Sequence, residues 1–274
     1  MNAETRREQI LEIVRSKGFA SLPSLAQTLR VSESTIRRDL DHLEEAGATR
    51  RTHGGVLYSG PSPHLPHFDH RQATNWHRKQ QVAARAAELI EDGDTLLLDG
   101  GSTTYELARE LHQRRLQLQI VTNSLPVATL FTSHDNVDLV LIGGYLHGRT
   151  GVTLGPYANQ MLADLNVRLA VLSVAGITQR GYFNSNLLLV ETERQMVAAA
   201  DEVVVVADSD KFGRSSLALL GPLGSVNTLV SDHQMPSHWR QELKAAGVRV
   251  IVAEPVDAPD TNSTDVTDGA HGHS

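Results

Sequence analysis

Apolar residues recur at helical spacing in three short runs near the start of the chain: Ile10, Leu11, Ile13 and Val14, then Leu22, Leu25, Ala26 and Leu29, then Ile36, Leu40 and Leu43. Arg30, Val31 and Ser32 interrupt the second run before the third begins. The spacing predicts three helices closing one small core, the first over roughly residues 5–17 and the last two joined by a tight turn. Ser32 or Ser34 can accept from the free backbone N–H groups that open the third helix, and Glu33 stands at the positive end of its dipole. With Ile36, Leu40 and Leu43 inward, Ser34, Thr35, Arg37, Arg38 and Asp41 face outward, with Ser34, Thr35 and Arg38 near the helix start. A DNA-reading helix uses that end, because an arginine fork matches guanine and hydroxyls serve bases or phosphates. Those letters alone fit a solvated helix face equally well. The adjoining segment favours DNA. Glu44-Glu45-Ala46-Gly47 reads as a glycine-capped helix end, and residues 48–57 then alternate through Arg50, Arg51 and His53 around a Gly54-Gly55 turn. A basic two-stranded wing beside such a helix is a winged helix-turn-helix.

From Lys79 the pattern changes. QQVAARAAELI predicts a helix with an alanine-rich buried face, and residues 95–98 predict a short, wholly apolar strand. Further strands are expected at 119–122, 137–142, 169–174, 203–207, 228–230 and 248–252. Helical stretches at 104–112, 157–165, 190–200 and 238–246 fall between most of them. Continuous apolar strands alternating with helices imply a mainly parallel sheet covered on both faces. The chain is therefore expected to hold a DNA-binding domain over residues 1–57 and an α/β domain over 77–253. Residues 58–76 join them, where three prolines in YSGPSPHLPHFDH break any period. The histidines of that stretch read as solvated linker rather than a metal site. Residues 254–274 are acidic, rich in small polar residues and nearly without large apolar ones, and are expected to be a disordered tail.

Ligands of open α/β sheets bind beyond the carboxyl ends of the strands, and several such ends here are polar. Asp99-Gly100-Gly101-Ser102-Thr103-Thr104 runs from a strand straight into a helix, where glycines permit close approach and free N–H groups can hold an anion. The next strand ends at Asn123 and Ser124 and the third at Gly143-Gly144. Each alone fits an ordinary strand-to-helix turn, whereas three on one edge point to a site. Lys211, in ADSDKFG after the VVVV strand, is placed on the same edge as a point charge for a phosphate. The expected effector contacts are thus Asp99, Gly101, Ser102, Thr103, Thr104, Asn123, Ser124, Gly144 and Lys211. Glu191 and Glu193 fit two roles, contact with sugar hydroxyls or acids at a helix start, the second being favoured.

RREQIL, LAQTLRVSESTIRRDLDHLEEAG and RTHGGV, in this order, resemble the N-terminal signature of the DeoR-type bacterial transcriptional repressors. DGGSTT, VTNS, IGG, GVTLGP and ADSDKFG resemble the effector domain of the same family, so the likeness spans about residues 4–253. The resemblance implies that Ser34, Thr35, Arg37, Arg38, Arg50 and Arg51 lie at the DNA. It also implies an α/β domain similar to ribose-phosphate isomerases and coenzyme A transferases, binding phosphorylated sugars and usually releasing DNA in response. The chain departs from the family pattern at Ser173-Val174-Ala175-Gly176, where many relatives carry an acid before the glycine.

The formal net charge is −7, which first looks wrong for a DNA binder. Residues 1–60 hold nine Lys and Arg against eight Asp and Glu, leaving 16 and 24 of the chain's 25 and 32 for the rest. The negative charge therefore sits outside the DNA-binding part, and an acidic body discourages loose binding to arbitrary DNA. Without cysteine, disulfides, thiol nucleophiles and cysteine-based zinc sites are excluded. No apolar run approaches the roughly 20 residues that span a bilayer, and the N-terminus lacks the apolar core of a signal peptide, so a cytoplasmic location is expected. The expectation is a regulator rather than an enzyme, acting as a homodimer or homotetramer on double-stranded operator DNA. A sugar phosphate is its expected effector, and neither cofactor, metal nor membrane is involved. The competing readings are a sugar-phosphate isomerase fused to a DNA-binding domain and a constitutive repressor with a relic pocket.

Overall fold

The computed structural model describes residues 2–17, 19–45, 48–52, 55–58 and 68–254. Helices α1 (Ala3–Lys17), α2 (Leu22–Leu29) and α3 (Glu33–Glu45) bury Ile10, Val14, Leu25, Ile36, Leu40 and Leu43 in one cluster with Ala20 and Val56. Full burial of a leucine such as Leu40 contributes about 1.5–3 kcal/mol, so the predicted faces suffice to fix how these helices pack. Ser21 caps α2, and Arg30 ends it in the left-handed region at φ 53°, turning the chain sharply into α3. At the start of α3, Ser32 Oγ accepts from the Thr35 N–H at 3.2 Å, so Ser32 supplies the cap.

Strands β2 (Thr49–Thr52) and β3 (Gly55–Tyr58) pair antiparallel, as the wing requires. Strand β1 (Phe19–Ser21) adds to the other edge of β3, giving the order β1-β3-β2. Three residues are too few to display a period, which is why β1 leaves no trace in the pattern. Of the expected Gly54-Gly55 turn, Gly55 opens β3, while Gly54, the expected Gly47 cap, residues 59–67 of the expected linker and residues 255–274 of the expected tail lie outside the described residues.

The remaining chain runs α4 (Phe68–Ala73), α5 (Trp76–Ala87), β4 (Thr95–Leu98), α6 (Ser102–Arg114), β5 (Leu118–Thr122), α7 (Leu125–Phe131) and β6 (Val137–Leu141). It continues through β7 (Tyr145–His147), β8 (Val152–Leu154), α8 (Pro156–Ala163), β9 (Val167–Ser173), β10 (Gly176–Thr178), β11 (Gly181–Asn184) and α9 (Leu187–Ala198). Last come β12 (Ala200–Val206), β13 (Ala218–Gly221), β14 (Thr228–Asp232), α10 (Ser237–Ala245) and β15 (Arg249–Ala253). Seven strands form one sheet in the order β15-β14-β12-β9-β4-β5-β6, with every pair parallel. These are the seven expected strands, with ends displaced by three residues at most. Leu96, Leu98, Val171 and Val204 bury on one face, and Leu97, Ala170, Leu172 and Val203 on the other, so helices cover both sides.

From β4 the chain steps outward to β5 and β6, then returns to the other side of β4 and builds β9, β12, β14 and β15. The winding therefore reverses between β4 and β9, which opens a crevice at their carboxyl ends. Two small additions flank it, the hairpin β7–β8 and the antiparallel sheet β10-β11-β13. Helix α4 falls within the span expected as linker, although its few apolar residues gave no helical period. Among the described residues no helix is long and apolar enough to cross a membrane.

Candidate functional site

On α3, Ile36, Asp39, Leu40 and Leu43 are buried, which leaves Ser34, Arg37, Arg38 and Asp41 exposed and Thr35 half-buried. Asp39 is tied into the core by Arg6 of α1, whose Nε and Nη2 donate to its two oxygens at 2.5 and 3.1 Å. The outward residues are held more loosely. Ser34 and Thr35 share their hydroxyls with Ser32 at 2.8 and 2.9 Å, and Arg37 stands 3.8 Å from Glu33 on the open surface. Arg38 has no ion-pair partner among the described residues. Arg51 on β2 bonds Asp41 of α3 through its side chain, and its N–H donates to Glu44 at 3.0 Å, which fixes the wing against the helix. Arg50 lies beside it on β2, paired in register with Leu57, while its side chain is outside the described atoms.

At the crevice between β4 and β9 lies a pocket lined by Arg71, Asp99, Gly100, Gly101, Thr150, Val152, Ser173, Asn184, Leu189 and Glu193. Of the nine expected effector contacts, Asp99 and Gly101 are in its wall. Both Asp99 oxygens are engaged, Oδ1 by the Gly101 N–H at 3.0 Å and Oδ2 by the Ser173 N–H at 2.8 Å and its hydroxyl at 3.2 Å. Burial pushes this carboxyl up, and those hydrogen bonds oppose the rise. The two glycines permit close approach, but of protein rather than ligand. A Cβ on Gly101 would overlap Ser173 Oγ, and one on Gly100 would overlap Val152 Cγ1.

The other expected contacts stand behind the wall or away from it. Ser102, Thr103 and Thr104 are buried in the first turn of α6, which starts at Gly101 without a side-chain cap. The amide nitrogen of Asn123 donates to the Thr153 carbonyl at 2.9 Å, and Ser124 caps α7. Gly144, at φ +143°, lets β8 and α8 approach, since a Cβ there would meet the Leu154 carbonyl at 2.9 Å and Ala158 Cβ at 3.2 Å. Lys211 is half-buried in the turn after β12 and does not line this pocket. That turn holds a different structure, the corner between α4 and α5. Asn75, at φ 55°, donates to Asp210 at 2.8 Å, and Arg78 pairs with Asp210 at 2.9 Å. Beside them Lys79 donates to the carbonyls of Arg71 and Thr74, the latter at 2.7 Å, and burial pushes its ammonium down to about 8.

Two further ionisable residues stand in the wall, Glu193, for which contact with the sugar is the less favoured of two expected roles, and Arg71, which the sequence pattern does not assign to the site. Glu193 is buried, with Oε1 accepting from Asn184 at 2.7 Å and Oε2 without a hydrogen-bond partner. Burial, with the charge of Asp99 added, raises its carboxyl well above the ordinary range, so the neutral acid is favoured. Glu191, its alternative, is exposed and outside the pocket wall. Arg71 comes from α4, inside the expected linker, and its Nε and Nη2 are buried without a hydrogen-bond partner. Burial pulls its guanidinium below the ordinary value, against the attraction of Asp99 and Glu193. An arginine within a proline-broken polar stretch carries no periodic signal, so only the folded arrangement singles it out.

Residues 6–61 match the family model described as the DeoR-like helix-turn-helix domain, and residues 74–233 match the DeoR C terminal sensor domain. The chain belongs to the DeoR family. Among its curated relatives, the glycerol-3-phosphate regulon repressor of Escherichia coli (strain K12) is 31% identical over 89% of this chain and 96% of its own. The transcriptional regulator IolR of Bacillus subtilis (strain 168) is 31% identical over 86% and 94%. The L-fucose operon activator of Haemophilus influenzae is 31% identical over 90% and 99%. Ribose 5-phosphate isomerase A from Methanocaldococcus jannaschii aligns over 49% of this chain and 53% of its own at 22% identity and TM-score 0.36, a likeness too slight to carry chemistry across. As a DeoR-family protein this chain is a DNA-binding transcriptional regulator with a sensor domain.

Proposed function

We propose that this DeoR-family regulator is a repressor of a carbohydrate operon, released from its operator when a phosphorylated sugar binds at the crevice between β4 and β9. In this reading residues 1–57 form the DNA-binding domain and residues 77–253 the effector domain, with α4 adding to the latter. A dimer or tetramer sets two α3 helices on half-sites, with Ser34, Thr35, Arg37, Arg38, Arg50 and Arg51 toward the DNA. The observation that carries the sensor half is a pocket at the sheet's reversal point where the buried Nε and Nη2 of Arg71 and the buried Oε2 of Glu193 have no hydrogen-bond partner among the described residues. Buried polar groups are normally paired, so such a wall suits a polar, anionic ligand. The name of one relative carries glycerol-3-phosphate, which fits an anionic ligand, and that of another carries L-fucose, which fits a carbohydrate operon.

The effector acts only through its differential affinity for the DNA-competent and DNA-incompetent arrangements. Catalysis fits the wall less well. An isomerase needs an ionised base beside the substrate C–H, whereas Asp99 spends both oxygens on Gly101 and Ser173 and Glu193 favours the neutral acid. The deciding experiment is release of a labelled promoter fragment adjoining the protein's own gene, screened against pentose, hexose and triose phosphates, with turnover of each compound followed in parallel. Release without turnover is expected. Turnover lost on changing Asp99 or Glu193 would overturn the regulator-only reading, and no release by any compound would leave a constitutive repressor.

A further inference from the structure

Three arginines of the described chain bury or half-bury the same edge of the guanidinium, and they differ in what meets it. Arg6 sets Nε and Nη2 on the two oxygens of Asp39, and Arg168 sets the same two nitrogens on Asp94. The corresponding nitrogens of Arg71 are buried in the pocket wall and bond nothing among the described residues. The two N–H bonds of that edge are parallel and match two oxygens of one carboxylate or phosphate. Neither acid nearby completes the match. Asp99 has both oxygens committed to Gly101 and Ser173, and Glu193 gives one oxygen to Asn184 and leaves the other unpartnered.

We infer that the Nε–Nη2 edge of Arg71 is the anchor for the anionic group of the effector, and that α4 is thereby the element that carries the anchor. The inference rests on the proposed sensor role and adds to it the residue and the ligand geometry. The ligand carries a phosphate or carboxylate at one end, for the fork, and a hydroxyl at the other, for the free oxygen of Glu193. Arg71 is also well placed to report binding. Its own carbonyl is held by Lys79, the α4–α5 corner is pinned to Asp210 through Asn75 and Arg78, and α4 is the first described helix after the wing. A bidentate bond at Arg71 therefore adds a ligand contact to a helix that the protein already ties to the sensor.

The test uses full-length protein, calorimetric titration and operator release, with inorganic phosphate, glycerol 3-phosphate, ribose 5-phosphate, fructose 6-phosphate and gluconate as probes. Arg71→Lys keeps a positive charge beside Asp99 and Glu193 but replaces the fork with a point charge, and Arg71→Met removes both. The expected result is anion binding at least about tenfold weaker in Arg71→Lys and lost in Arg71→Met. Gluconate against the phosphates separates a carboxylate from a phosphate source. Wild-type binding retained in Arg71→Lys would overturn the anchor and leave the sensor reading standing. No binding of any probe by the wild type would overturn both. Arg71→Lys decides the matter should Arg71→Met prove unstable, since a merely charge-balancing role is met by lysine.

Discussion

Asp39 and Glu193 are both buried carboxylic acids, and the two halves of the chain treat them in opposite ways. In the helix module Asp39 receives both N–H bonds of the Arg6 edge, so the buried charge is complete within the protein. In the sensor Glu193 stands near Arg71 without bonding it, and among the described residues Glu193 Oε2 and Arg71 Nε and Nη2 have no hydrogen-bond partner. The first arrangement fixes a shape that must be rigid before it meets DNA. The second leaves desolvated groups unsatisfied, which a ligand can complete, and that is how a pocket gains affinity for a small polar molecule from few contacts. Rigid reader and unfinished sensor are what a ligand-operated regulator requires.

The largest expected effect tests the finished side. Asp39→Ala removes the charged hydrogen bonds that lock α1 to α3 and should cost on the order of 2 kcal/mol, read by urea unfolding followed in the helix module. A loss near zero would mean that the apolar cluster alone orders these helices. Next, Arg38→Ala should weaken operator binding about tenfold, roughly 1.4 kcal/mol, without lowering the melting temperature, because its side chain is exposed and has no ion-pair partner among the described residues. Equal loss of stability and affinity would place Arg38 in the fold instead of at the DNA. Arg51→Ala should have a smaller effect, roughly twofold to threefold, because Arg51 must first leave Asp41. The slope of log affinity against log salt should fall by about one if Arg51 meets a phosphate.

A further expected effect is a pH dependence on the unfinished side. The folded protein holds the Glu193 proton above the ordinary carboxyl range, so the stability it contributes is full at pH below the unfolded value near 4.5 and is lost as pH rises through the raised folded value. Glu193→Gln cannot lose that proton, and the wild type should fall in stability relative to it on going from about pH 4.5 to about pH 8. Parallel melting curves across that range would show that Glu193 is ionised in the pocket, and its proposed role toward a ligand hydroxyl would fail.

Much of the fold is legible along the chain because burial imposes a period. The third helix betrays its inward face through Ile36, Leu40 and Leu43, and the sheet strands betray double burial through runs such as Val203–Val206. The elements that escape notice are short or belong to no period, namely β1, β7, β8, β10, β11, β13 and α4. The loop at Asp99–Gly101 is recognisable as a ligand edge, yet the reason for its glycines is not, since Ser173 and Val152 come from distant parts of the chain. Lys211 is placed on the pocket edge by the rule that ligands bind at strand ends, but the turn that carries it is used to hold Asn75 and Arg78.

Local period and contiguous motifs are enough to make this chain a DeoR-family regulator, with a winged helix-turn-helix ahead of a parallel α/β sensor. They are also enough to name the outward residues of α3, since a helix face follows from spacing alone. Which charges share the pocket is a matter of the folded arrangement. Arg71, Asp99, Thr150, Ser173, Asn184 and Glu193 come from six separate segments, and whether a buried polar atom is satisfied depends on neighbours that the linear chain does not place beside it.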